Sequence, residues 1–144
     1  MIGTGYVGLV TGVCFAELGH TVTCLDIDKE KIAQLKSGIS PIFEEGMDEL
    51  LRKNIDAGRL SFTTQYADAI PNADCVFICV QTPSGEYGKA DLSYVYGAVR
   101  ECLKHLDGYT VLINKSTCPV GTVRAIKELI QEIAPEKECD IASN

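Results

Sequence analysis

A glycine-rich turn near the start of the chain constrains the fold more than any other feature. Gly3, Gly5 and Gly8 follow the pattern G-x-G-x-x-G and open an apolar helical stretch that Gly19 ends. A β-rich run follows and ends at Asp26, 18 positions after Gly8. A glycine turn at the head of a helix, followed by a strand with an acid at its end, is typical of a dinucleotide-binding βαβ unit.

Each part of this glycine turn (Gly3–Gly8) has a predicted task. Gly3 permits a tight turn, Gly5 lets the backbone come close to a pyrophosphate, and Gly8 lets the helix pack near the strand. The helix start offers unpaired N–H groups and a partial positive charge to that pyrophosphate. Asp26 is predicted to lie beside the turn and accept hydrogen bonds from the adenosine ribose hydroxyls. Its charge opposes a 2′-phosphate and no Arg stands beside it, so NAD is favoured over NADP.

The rest of the chain alternates apolar β-rich runs with helical stretches. Strands are predicted at 21–25, 60–63, 75–80, 110–113 and 140–142. Helices are predicted at 28–36, with Asp28 as its cap, and at 47–55, 92–106 and 123–133. The last helix is expected to bury Ile126, Leu129, Ile130 and Ile133. This alternation predicts an α/β fold of the Rossmann type, a doubly wound parallel sheet with helices on both faces.

One feature at the start of the chain suggests a fragment. Only Met1 and Ile2 precede the glycine turn, so the first strand is expected to be largely missing.

The longest loop candidate, 81–90, directly follows a predicted strand. Ligands of open parallel sheets bind beyond the carboxyl ends of the strands, so this loop is well placed for function.

The net charge and the cysteine pattern limit the partners and the cellular compartment that the sequence predicts. The formal net charge of −7 makes the surface a poor partner for nucleic acid. No window approaches the roughly 18 apolar residues of a membrane span, and the start carries no secretory signal pattern. The seven cysteines are irregularly spaced, without a CxxC pair or a nearby His, which indicates reduced thiols in a cytoplasmic protein and no metal site. Cys75 and Cys79 lie in an apolar run and are expected to act as small hydrophobic residues.

Further motifs follow in a fixed order. They include Gly38-Ile39-Ser40-Pro41-Ile42-Phe43-Glu44, Val80-Gln81-Thr82-Pro83 and Lys115-Ser116-Thr117-Cys118-Pro119-Val120-Gly121-Thr122. With the glycine turn, they make the chain resemble the UDP-glucose/GDP-mannose dehydrogenase family over essentially its whole length. Gln81 departs from the family's usual Gly, and Cys118 from its usual aliphatic residue.

The resemblance implies a cofactor site made of the glycine turn and two later loops. The implied cofactor-binding residues are Gly3, Gly5, Tyr6, Val7, Gly8, Asp26, Lys31, Thr82, Pro83, Ser116 and Thr117. Lys31 is implied near the adenosine end, and Thr117 on the nicotinamide side, where it helps to organise active-site water. Simpler interpretations are a solvated helix lysine for Lys31, a turn for Thr82-Pro83, and a helix cap for Ser116-Thr117.

The resemblance also implies an activity. Members of the family oxidise the primary alcohol of a sugar nucleotide to a carboxylate with two NAD, through a cysteine thiohemiacetal and thioester. That cysteine is implied to lie beyond residue 144, so none of the seven cysteines, Cys118 included, is assigned the role. Residues 1–144 are therefore expected to be an NAD-binding domain truncated at both ends, without the central and UDP-binding domains, and inactive alone. We expect a homo-oligomer when full length.

Several alternatives stay open. The segment around Lys115 resembles enzymes that act on UDP-glucose more than those that act on GDP-mannose, but GDP-mannose or a UDP-N-acetylhexosamine remains possible as substrate. A dinucleotide-binding module without catalysis is a second hypothesis. An S-adenosylmethionine-dependent methyltransferase is a third, against which Gly8 counts. A 3-hydroxyacyl-CoA-type dehydrogenase would need a late catalytic histidine, and His105 falls on a predicted helix.

Overall fold

A computed structural model describes residues 1–85 and 88–144 of the chain. The chain divides into two compact units, Met1–Ala69 and Ile70–Asn144. Both units combine parallel strands with helices, so the predicted α/β fold class is confirmed. No helix within the two described ranges is long and apolar enough to cross a membrane.

The first unit contains two parallel strands and four helices. These are α1 (Tyr6–Glu17), β1 (Val22–Leu25), α2 (Lys29–Lys36), α3 (Met47–Asp56), β2 (Leu60–Thr63) and α4 (Tyr66–Ala69). Strand β1 pairs with β2 from Val22 opposite Leu60 to Leu25 opposite Thr63. Ahead of the glycine turn, Ile2 forms an isolated parallel bridge to Leu25, at the position where the first strand is predicted.

Helix α1 packs closely on β1. Val22, Cys24 and Leu9 are among the buried residues of one apolar core that α1, β1, α2, α3 and β2 share. The closest approach is at Gly12, where an added Cβ would lie 2.8 Å from the Cys24 Sγ and 3.1 Å from the Met1 Cγ. The sequence predicts close helix–strand packing at Gly8, and the structure shows such packing at Gly12.

A buried polar network joins α1 to α3. Asn54 is fully buried, and its Nδ2 donates to Glu17 Oε2 at 3.0 Å and to the Leu50 carbonyl at 2.8 Å. Arg59 Nε donates to the Asn54 Oδ1 and to the Ala16 carbonyl at the end of α1. These bonds satisfy buried polar groups that would otherwise oppose the packing of the two helices.

The second unit is a three-stranded parallel sheet with two long helices. Its elements are β3 (Cys75–Ile78), α5 (Ser93–His105), β4 (Thr110–Asn114), α6 (Thr122–Ile133) and β5 (Cys139–Ser143). Strand β4 is central, with Cys75 opposite Val111 on one side and Cys139 opposite Thr110 on the other.

Three expectations for the second unit need correction. Strand β3 ends at Ile78 because the Lys115 and Ser116 N–H groups both donate to its carbonyl. Cys75, at the start of that strand, is exposed and does not act as a core residue. In α6 the buried residues are Thr122, Ile126 and Ile130, at intervals of about one turn, and Ile133 is 45% exposed.

Candidate functional site

The glycine turn and Asp26 lie against each other. Gly3 has a φ of 94°, in the left-handed region that glycine adopts without strain. Next to it, the Thr4 N–H donates to the Asp26 Oδ2 at 2.8 Å, and the Thr4 hydroxyl donates to the same oxygen at 2.7 Å. The end of β1 is therefore joined directly to the turn, as the spacing of the sequence predicts.

The two carboxylate oxygens of Asp26 have unequal surroundings. Oδ2 accepts a third bond from Lys31 Nζ at 3.2 Å, whereas Oδ1 accepts from the Asp28 N–H at 3.1 Å. Oδ2 is thus saturated, and Oδ1 retains acceptor capacity. Although no Arg stands beside Asp26, the Lys31 ammonium does, and it is paired with the carboxylate.

The surroundings of Asp26 favour its ionised form. Burial raises the pKa of its carboxyl, but the hydrogen bonds from Thr4, the Asp28 N–H and Lys31 outweigh burial, so the pKa lies below its ordinary value. The Asp26 side chain is only 11% exposed. A fixed, ionised acceptor is what recognition of a sugar hydroxyl needs.

The start of α1 is open and uncapped by any side chain. Gly5 is its N-cap, and no side-chain hydrogen bond caps the helix there. A Cβ added at Gly5 would meet no protein atom within 4 Å, and Tyr6 and Val7 are 56% and 49% exposed. The first N–H groups of a helix have no intrahelical partners, so this opening fits a phosphate group that approaches the backbone.

In the second unit, hydroxyl groups connect residues 79–85 after β3 (the β3 loop) with residues 115–121 after β4 (the β4 loop). The Thr82 hydroxyl donates to the Thr117 carbonyl at 2.9 Å, and the Ser116 hydroxyl donates to the Val80 carbonyl at 2.7 Å. Both hydroxyl protons are used inside the protein. The two oxygens are left as acceptors for a ligand.

The alternative roles of these loops can now be compared with the structure. Helix α6 begins at Thr122 after Gly121, whose φ is 96°, so Ser116 and Thr117 do not cap it. The Pro83 carbonyl accepts from the Asp91 N–H at 2.8 Å, beside an antiparallel bridge between Ser84 and Ala90, so the turn interpretation of Thr82-Pro83 stays a prediction. The loop predicted at 81–90 includes Glu86 and Tyr87, which lie outside the described residues.

A cleft of about 690 Å³ opens along the β4 loop and the start of α6. Its lining includes Ser116, Thr117 and Cys118, and Lys115 Nζ donates to the Asn144 Oδ1 at 2.5 Å on its edge. Thr117 is exposed there and reachable by a ligand. A smaller cavity of about 230 Å³, at the end of α6, contains none of the predicted site residues.

The predicted residues thus fall into two groups, one in each unit. The first unit brings the glycine turn, Asp26 and Lys31 together, and the second brings Thr82, Pro83, Ser116 and Thr117 together. Thr4 was missed by the sequence analysis. The available signal was a hydroxyl residue between two glycines, but its partner, 22 positions away, is not visible in the sequence.

Known proteins resemble the chain over its full length. Residues 1–144 match the model described as "UDP-glucose/GDP-mannose dehydrogenase family, NAD binding domain". The UDP-glucose 6-dehydrogenase of Rhizobium meliloti is 51% identical, over 100% of this chain and 33% of that protein. The UDP-glucose 6-dehydrogenase YwqF of Bacillus subtilis is 50% identical, again over 100% of this chain and 33% of the relative.

Solved structures agree in fold. A GDP-mannose dehydrogenase from Pseudomonas aeruginosa, solved as a ternary complex, has a TM-score of 0.93 and 34% identity, over 99% of this chain and 34% of that one. A UDP-glucose dehydrogenase from Pyrobaculum islandicum has a TM-score of 0.91 and 35% identity, with the same two coverages. The chain spans about a third of the length of the curated relatives it matches.

Proposed function

The chain belongs to the UDP-glucose/GDP-mannose dehydrogenase family as an NAD-binding domain, and from that premise we propose that the intact protein is a UDP-glucose 6-dehydrogenase. It oxidises UDP-glucose to UDP-glucuronate and reduces two NAD. The observation that carries this proposal is that three relatives named UDP-glucose 6-dehydrogenase are 46–51% identical to this chain over its whole length.

The first unit holds the adenosine half of NAD in this proposal. The pyrophosphate approaches the backbone at Gly5 and the N–H groups of Tyr6, Val7 and Gly8, where the helix start has no side-chain cap. Asp26 accepts a hydrogen bond from the ribose, and Lys31 lies next to it. The open space at Gly5 supports this assignment, since a side chain there would occupy the approach.

The second unit holds the nicotinamide half. The hydroxyl groups of Thr82 and Ser116 each donate a hydrogen bond to a protein carbonyl, so each oxygen remains available to accept from the amide N–H of the nicotinamide. Pro83 lies beside Thr82. Thr117 is exposed on the cleft and is assigned to active-site water, as its place in the β4 loop suggests. When bound, NAD supplies the hydride acceptor, and this chain supplies its orientation.

The remaining steps of the reaction are assigned to other parts of the intact protein. The nucleophilic cysteine and the residues that bind the sugar and UDP are placed outside residues 1–144, with this chain as one domain. Cys118 is half-buried, with its Sγ 4.0 Å from the Asn114 Oδ1, and it receives no catalytic role. A cytoplasmic homo-oligomer is part of the proposal, and the seven cysteines, none of which forms a disulfide, are consistent with the cytoplasm.

The test is a comparison of substrates with the intact protein. NADH formation is followed with UDP-glucose, GDP-mannose and UDP-N-acetylmannosamine, and the product is quantified. We expect turnover with UDP-glucose and two NADH for each UDP-glucuronate. Turnover with GDP-mannose or UDP-N-acetylmannosamine alone would reassign the substrate within the family, and NAD binding without turnover of any of the three would favour a binding module.

A further inference from the structure

Thr4 directs both of its hydrogen-bond donors to one atom of Asp26. It lies between Gly3 and Gly5 and is 1% exposed. Its N–H reaches the Asp26 Oδ2 at 2.8 Å and its hydroxyl reaches the same oxygen at 2.7 Å. These are short, charge-assisted bonds, and together they fix the orientation of the carboxylate.

Thr4 also decides which carboxylate oxygen remains available. With the third bond from Lys31, Oδ2 has three donors around it. Oδ1 has one, the Asp28 N–H at 3.1 Å, and that contact is exposed. A ligand hydroxyl can therefore be accepted at Oδ1 without displacing a protein donor.

We propose that Thr4 is a positioning residue for cofactor recognition, which holds Asp26 so that Oδ1 accepts a hydrogen bond from one adenosine ribose hydroxyl. The inference rests on the proposed function, because it takes NAD to be the ligand. It replaces the expectation that Asp26 accepts from both ribose hydroxyls with one hydrogen bond, at Oδ1. The backbone N–H of Thr4 is kept in every variant, so the hydroxyl can be tested alone.

The experiment uses four variants of the intact protein. Thr4→Val replaces the hydroxyl with a methyl group of similar size. Thr4→Ala removes the hydroxyl together with the γ-methyl group, and Thr4→Ser retains the hydroxyl. The matched control is Thr110→Val, because Thr110 is 2% exposed and its hydroxyl also donates to a protein oxygen, the Ala73 carbonyl at 2.9 Å. Thr110 begins β4, at the amino end of a strand, away from the end that binds ligands in such sheets.

Two ligands are titrated calorimetrically: NAD, and an NAD analogue with a 2′,3′-dideoxyadenosine half. We expect Thr4→Val and Thr4→Ala to weaken NAD binding about tenfold, the scale of a hydrogen bond to a charged group, and to leave the analogue unaffected. Thr4→Ser and Thr110→Val should bind NAD within about twofold of the unmodified protein. Loss of a donor to the ionised carboxylate raises the pKa of Asp26, so the acid limb of NAD binding should move to higher pH in Thr4→Val but not in Thr4→Ser.

The outcomes separate this inference from the proposed function. If the unmodified protein binds NAD, and Thr4→Val binds NAD and the analogue as tightly as the unmodified protein, the positioning role is wrong and the NAD assignment stands. Equal loss for NAD and the analogue would mean a purely structural role and would also overturn the inference. Absence of NAD binding in the unmodified protein overturns both. Should Thr4→Val fail to fold, Thr4→Ala decides by the same comparison.

Discussion

At the scale of single residues, Asp26 is the centre of the proposed ribose site. Its carboxylate accepts hydrogen bonds from Thr4 and from the Asp28 N–H, and it is paired with the Lys31 ammonium at 3.2 Å. In the sequence, the charge of Asp26 and the absence of a neighbouring Arg favour NAD over NADP. The structure adds that the Lys31 ammonium lies beside the Asp26 carboxylate and forms an ion pair with it.

Asp26→Asn tests this balance. We expect NAD binding to weaken by about 1–3 kcal/mol, because a charged acceptor is lost. NADP binding should strengthen relative to NAD, because Lys31 becomes an unpaired cation where a 2′-phosphate would lie. Calorimetric titration with both nucleotides measures the two effects. The control is Glu101→Gln, which removes a carboxylate from the exposed pair with Lys104, and unchanged NAD affinity in Asp26→Asn would contradict the ribose assignment.

The pKa of Asp26 also predicts a pH dependence of stability. Because the folded-state pKa is lowered below the ordinary value of about 3.9, ionised Asp26 stabilises the fold fully above that pH. This contribution is lost as the pH falls through the lower, folded-state pKa. The difference in unfolding free energy between the unmodified protein and Asp26→Asn, from urea titrations at several pH values, should be constant above about pH 5 and shrink below about pH 4. A difference that grows on acidification would refute the assignment.

At the scale of secondary-structure elements, the contact of α1 with β1 depends on a residue without a side chain. The Gly12 position leaves 2.8 Å between a built Cβ and the Cys24 Sγ, which is closer than two such atoms can approach. Each element was predictable from its own periodicity. The distance between α1 and β1 was not predictable in this way, because it depends on atoms of both elements.

Gly12→Ala is expected to destabilise the protein by about 1–3 kcal/mol, as overpacking of a well-packed core does. The matched control is Gly97→Ala in α5, where an added Cβ meets no atom within 4 Å. That change should stabilise by about 0.5–1 kcal/mol, since Ala favours a helix interior over Gly. Urea denaturation measures both. If Cys24→Ala restores the stability of Gly12→Ala, the Sγ contact is the cause, and equal effects of the two Gly→Ala changes would show that α1 has room to move.

At the scale of the whole molecule, the proposed ligand contacts are divided between two units of the chain. The glycine turn, Asp26 and Lys31 belong to Met1–Ala69, and the β3 and β4 loops belong to Ile70–Asn144. In each unit they follow the carboxyl ends of parallel strands, which is where ligands bind in open α/β sheets.

NAD is therefore expected to stabilise the intact protein against unfolding. A ligand that binds only the folded state contributes about 2.7 kcal/mol at a concentration one hundred times its dissociation constant. Thermal unfolding with increasing NAD should show a rising midpoint, with a smaller rise for NADP at the same concentration. S-adenosylmethionine is the negative control, and a midpoint that rises with it but not with NAD would favour the methyltransferase alternative.

The sequence by itself determined the alternation of the longer helices with the strands, the glycine turn and the position of Asp26 at a strand end, because these depend on local periodicity and on glycine's conformational freedom. The short helix α4 was not predicted. Only the tertiary structure decided that Thr4 binds Asp26 across 22 positions and that Ser116 binds the β3 loop across 36, instead of capping α6. It likewise placed Gly12 against Cys24 and left Ile133 exposed. Such contacts join residues distant in the chain, and their partners depend on how the elements pack.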